Sequence, residues 1–141
     1  MKPLTRRQVL LGAASLGVGA AGLGLHQGLV SVRRRDAIEA LFQGVSWPGE
    51  MRELGRLYLE LQPDEANATR LRSLVLPDLG PLAWKINASN AREVFSNQVQ
   101  QDFDRGELVE LEGWYFARSE ARFAALFLLT EVASLASPTA R

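Results

Sequence analysis

Apolar and polar positions divide the chain into two unlike stretches. Val9 to Leu25 carries no charge and holds Gly12, Gly17, Gly19, Gly22 and Gly24, whereas beyond Arg35 apolar residues recur at helical spacing among charged ones. Asp36 to Phe42 (DAIEALF) sets Ile38, Leu41 and Phe42 on one side of a short helix, which Gly44 ends. Pro48 opens a second helix because its fixed φ suits a first turn, and Glu50 and Glu53 complement the positive helix end. Met51, Leu54, Leu57, Tyr58 and Leu61 form its apolar stripe. Pro63 repeats the device: Gln62 leaves the helical region before it, and Asp64 and Glu65 occupy the first turn of a third helix. Leu71, Leu74 and Val75 supply the inner face of that helix.

Leu76 to Ser89 carries two prolines and a glycine and reads as an irregular connection, with Trp84 and Ile86 tucking it onto the core. Asn90 to Glu93 fits an N-cap with a capping box. The helix that follows places Val94, Phe95, Val99 and Phe103 near one side, and Gly106 stops it. Leu108 to Leu111 and Trp114 to Phe116 are strand-like runs joined at Glu112-Gly113, a tight hairpin that needs helices beneath it. Ser119 is the expected N-cap of a last helix, and Ala121 to Leu135, apolar nearly all round, is expected at the centre of the bundle. The predicted fold is mainly α, a small helical bundle with a short β-hairpin before the last helix. Residues 1–27 form a leader or anchor, 28–135 a single helical domain and 136–141 a flexible tail. The stretch LGRLYLELQPDEA resembles part of a tetratricopeptide unit, yet no second copy follows at a 34-residue period, so a plain helical hairpin is the better account.

The leader changes the picture most. Thr5-Arg6-Arg7-Gln8-Val9-Leu10-Leu11 resembles a twin-arginine (Tat) export signal, and the glycine-laced apolar run after it suits one. Val9 stands where such signals often carry phenylalanine, and no lysine follows Leu11. The resemblance implies that Arg6 and Arg7 are read by the Tat translocation machinery and that the protein works in the periplasm. Membrane contact is then confined to the N-terminal segment. The alternative is an inner-membrane anchor formed by an uncleaved N-terminal helix. Val18-Gly19-Ala20 offers a small-residue cleavage site, and the segment ends between Ala20 and Gln27.

Composition narrows what the body can be. The chain has 141 residues, 47% of them hydrophobic and 23% charged, which suits one compact domain. Without Lys2, Arg6 and Arg7 its 16 basic residues fall three short of its 16 acidic ones, so the body is mildly acidic and no nucleic-acid partner is expected. The compact basic cluster Arg33-Arg34-Arg35 is too small to bind phosphates alone. Having no cysteine and a single histidine, His26, the chain cannot form disulfides, thiolate-held clusters, a His-rich metal site or a Ser-His-Asp triad.

The segment QDFDRGELVELEGWYFARSEAR is the most individual part of the chain. In Asp102, Phe103, Gly106, Val109, Gly113, Trp114, Ser119, Glu120, Ala121 and Arg122 it resembles a C-terminal pattern of small uncharacterised Tat-exported bacterial proteins. That resemblance implies an architecture and no activity. Glu120 with Arg118 and Arg122 offers a site for a small acid or a partner's carboxylate, because guanidinium forks match carboxylates; the plainer account is helix capping and a local ion pair. Asp102, Asp104, Glu107, Glu110 and Glu112 raise paired-carboxylate or metal chemistry, but Glu110 and Glu112 alternate as one solvated strand face would. The sequons at Asn67 and Asn87 are accidental in a bacterial exported protein. No catalytic residue, cofactor or metal is assigned. The expected function is that of an accessory or interaction subunit of a larger exported catalytic subunit, a redox enzyme being one such partner, similar in layout to the small Tat-bearing subunits of membrane-associated dehydrogenases. Trp84, Trp114, Tyr115 and Arg118 are the expected anchors. The rival reading is a stand-alone periplasmic small-ligand-binding module or hydrolase using Arg118, Glu120 and Arg122.

Overall fold

The structure, a computed structural model, describes residues 20–76 and 85–137, with side chains of the first helix described from residue 32. Its elements run α1 (Ala20–Gln43), α2 (Pro48–Leu61), a 3-10 turn (Pro63–Glu65), α3 (Ala68–Val75), α4 (Ala91–Arg105), β1 (Leu108–Leu111), β2 (Trp114–Ala117) and α5 (Arg118–Ala136). The fold is the mainly α bundle with a hairpin before the last helix that the apolar pattern predicts. Arg6, Arg7 and Trp84 lie outside the described residues.

The first half of α5 forms the centre, against α2, α3 and α4. Ala121, Ala124, Ala125 and Leu126 are fully buried, and Phe123 and Phe127 nearly so. The expectation that the whole of Ala121 to Leu135 is central is corrected here: the last turns emerge from the bundle, leaving Val132 and Leu135 exposed. α2 meets α5 backbone to backbone at Gly55, where a Cβ would overlap the Ala124 carbonyl oxygen and lie 2.7 Å from its carbon. Only glycine permits that approach. Phe42 of α1 packs on Phe123 and Phe127 at ring distances of 5.4 and 5.5 Å, and Phe95 of α4 lies 5.1 Å from Phe123. Such aromatic pairs add to the area they bury and tie three helices together.

Several boundaries differ from the sequence reading for identifiable reasons. α1 is not confined to Asp36–Phe42. It runs unbroken from Ala20, across residue 27, since no proline interrupts it. Arg34 Nη1 donates to the Ser73 carbonyl at 3.0 Å, fastening α1 to the last turn of α3, where free carbonyls favour a cation. The third helix does not start at Pro63. The chain makes a 3-10 turn there, and Asn67 restarts it, its Oδ1 accepting the Arg70 N–H at 2.9 Å as an N-cap. Asn90 precedes α4 but does not cap it. Its amide is drawn back into the preceding turn, accepting from Asn87 N–H and donating to the Lys85 carbonyl. Leu61 and Phe103, expected on inner faces, are exposed, while Ile86 is buried as expected.

The hairpin forms as predicted, with Leu108 opposite Ala117 and Leu111 opposite Trp114. Glu112 and Gly113 both take positive φ, 51° and 82°, the geometry of a two-residue primed turn. Glu112 therefore belongs to the turn and does not share a strand face with Glu110. Ser119 is not the N-cap of α5 either; Ala117 holds that place. Because alanine has no side-chain acceptor, Asp102 takes that part and accepts from Ser119 N–H at 2.7 Å, while Glu120 reaches back to accept from Ala117 N–H at 3.1 Å. Asp102 also accepts from Gln98 Nε2 at 2.8 Å, and its burial removes it from the solvated acids with which the sequence groups it.

Candidate functional site

Two places gather the residues singled out in the sequence. The first is a polar cleft of about 200 Å³ where the end of α2 faces the start of α5, lined by Tyr58, Gln62, Glu65, Val109, Arg118 and Arg122. The 3-10 turn opened by Pro63 carries Glu65 back over α2, so that Tyr58 Oη donates to Glu65 Oε2 at 2.6 Å. Arg122 grips the same carboxylate with both edges of its fork, Nε to Oε2 at 2.9 Å and Nη2 to Oε1 at 2.7 Å. Both charged side chains are largely buried, which makes this bidentate pair stronger and less screened than the surface pairs of α2. The Arg122 guanidinium holds the Glu65 carboxyl below its ordinary value despite burial, and Glu65 in turn raises the Arg122 pKa. Burial, helped by the bond to Glu65, pushes the Tyr58 hydroxyl up to about 12.

The Arg118 guanidinium lines this cleft with no hydrogen bond or ion pair to the described residues. Of the trio Arg118, Glu120 and Arg122, the structure thus brings the two arginines together and turns Glu120 away to the Ala117 N–H. Tyr58 and Glu65 escaped the sequence reading as members of a site. Tyr58 fits the apolar stripe of α2 and Glu65 an acidic first turn, and no local periodicity links either to Arg122, 57 residues beyond Glu65.

The second place is the tip of the hairpin. Trp114 is 73% exposed and Tyr115 63% exposed, on opposite faces of the ribbon: Trp114 shares its face with buried Val109 and Leu111, and Tyr115 shares the other with Glu110. Trp114 flanks a shallow groove of about 220 Å³ floored by Leu54, Leu57, Leu111 and Phe116 and edged by Glu50, Glu53 and Glu112. Glu53 is tied to Arg56, which also bridges to Glu60. Among the described residues no group of three or more His, Asp or Glu could hold a metal ion, and no helix is long and apolar enough to cross a membrane.

Comparison with protein-family models, curated proteins and solved structures finds no match. The geometry described above therefore carries the functional reading.

Proposed function

We propose that this chain is a small Tat-exported periplasmic interaction subunit whose hairpin docks on a larger exported catalytic subunit, a redox enzyme being one candidate. The observation that carries the reading is the aromatic pair at the hairpin tip. Trp114, beside Leu111 on the face that packs on α2, and Tyr115, beside Glu110 on the opposite face, both stand exposed at the hairpin end, so a partner that wraps the tip meets two large, stiff aromatic side chains. The acidic edge beside the groove favours a partner surface carrying Lys or Arg, which would add orientation and speed of encounter. The Arg6-Arg7 leader supplies the export half of the proposal and comes from the sequence alone. Export is tested by a reporter fusion with Arg6→Lys and Arg7→Lys together: it should remain in the cytoplasm while the native leader reaches the periplasm. Docking is tested by purifying the exported protein. It should arrive with a larger polypeptide in fixed proportion, and a lone monomer would overturn the reading.

One observation favours the rival. Arg118 lines the small cleft beside Gln62 with its guanidinium free of partners among the described residues, whereas Arg122 is taken by Glu65, so Arg118 is the group that would hold a carboxylate there. With Glu120 engaged as a helix cap, that reading narrows to binding without hydrolysis. A saturable shift of the Tyr58 ring resonances on adding acetate, absent in Arg118→Gln, would support it.

A further inference from the structure

A cleft of about 690 Å³ lies apart from both places, where the end of α1 and the loop after it face the starts of α2 and α4. Its volume falls in the range typical of small-molecule sites. Leu41, Val45, Met51, Phe95 and Phe123 give it apolar walls, and Trp47, 71% exposed, stands at the lip. Arg92 is the one charged residue among the described residues that line it. The Arg92 guanidinium forms no hydrogen bond or ion pair with the described residues, and no carboxylate lines the cleft beside it. Gly44 leaves the space the guanidinium uses, since a Cβ there would come within 3.2 Å of Arg92 Nη2. Apolar walls flanked by Ser46 and Ser89, with one guanidinium among them, are complementary to a molecule with a hydrocarbon or aryl body and an anionic head. The body displaces water from the phenylalanine rings, and the fork takes the carboxylate through charge-assisted hydrogen bonds.

We propose that this cleft binds a small amphiphilic carboxylate, such as a medium-chain fatty acid or an aryl-substituted acid, with Arg92 holding the head group. The site stands independently of the docking surface at the hairpin. Trp47 provides the readout: in the full chain carrying Trp84→Phe and Trp114→Phe, the remaining indole reports the lip of the cleft. Titration with octanoate, kept below its micelle concentration, should change Trp47 emission saturably. Arg92→Gln, at an exposed position, should weaken octanoate about tenfold or more, the loss expected for one hydrogen bond to a charged group. Ala88→Leu, also exposed, should block the cleft and abolish the change while leaving Arg92 in place. 1-Octanol should bind the native residue set no better than octanoate binds Arg92→Gln. The absence of a saturable response, equal affinity in Arg92→Gln, an unaffected Ala88→Leu, or octanol binding as tightly as octanoate would each overturn the proposal.

Discussion

The seam between α2 and α5 and the surface around the hairpin tip treat the same kinds of residue in opposite ways. In the seam, glycine lets two backbones touch, and the tyrosine, glutamate and arginine nearby are bonded to one another in a largely buried cluster. At the hairpin, two large aromatic side chains stand in solvent on a ribbon that could have ended in small polar residues. Groups already saturated within the fold contribute stability and have little left to offer a ligand. Groups left open, such as Trp114, Tyr115, Arg118 and Arg92, add little to folding, and they are the ones on which the proposed docking and binding rest.

Substitutions in the two regions should therefore separate stability from interaction. The largest effect is expected at Gly55, because Gly55→Ala drives a methyl group into the Ala124 carbonyl and the helices have to part. A loss of about 3 kcal/mol is expected from such overpacking, read as a lower denaturant midpoint at unchanged slope. A loss below about 0.5 kcal/mol, the level of a neutral surface change, would break the account of the seam.

Next in size, Arg122→Met should cost about 2 kcal/mol, since it strands the Glu65 carboxylate beside Tyr58. Combining it with Glu65→Gln should cost less than the two single losses together, because they share one interaction. The pair also sets a pH dependence. Glu65 has its folded pKa held below the ordinary value of 4.5, so its contribution is present above that value and is lost as pH falls through the lower folded pKa. The stabilities of the native chain and Glu65→Gln should thus differ by a constant amount above pH 4.5 and converge as pH falls below it.

A smaller loss, about 1 to 2 kcal/mol, is expected for Asp102→Ala, which removes the carboxylate that caps the start of α5. Smallest of all, Trp114→Ser should shift stability by no more than about 0.5 kcal/mol while abolishing association with the partner. That inversion, least effect on folding with most effect on binding, sharpens the contrast between the two regions.

Much of the fold was legible wherever a single local signal decides the backbone. Pro48 starts α2, Gly106 in the left-handed region ends α4, and Glu112-Gly113 turns the hairpin, each for a reason contained in a few neighbouring residues. Tertiary ties decided what local signals could not. Asn67 and Asn90 each stand before an alanine at a helix start, and only Asn67 caps, because Lys85 and Asn87 claim the other amide. Ser119 looks like a cap in sequence, but the buried Asp102, 17 residues earlier, supplies the acceptor. Of the candidate sites, the exposed aromatics were readable from composition and the hairpin pattern. The Tyr58–Glu65–Arg122 cluster and the cleft at Arg92 were not, since both arise where elements distant in sequence meet.

The most direct test compares the exported chain with its Trp114→Ser, Tyr115→Ser double variant by light scattering after size exclusion. The account predicts that the native chain elutes within a larger heteromeric assembly and that the variant, equally folded, elutes alone. A native chain that elutes as a free monomer, or a variant that keeps its place in the assembly, would contradict it.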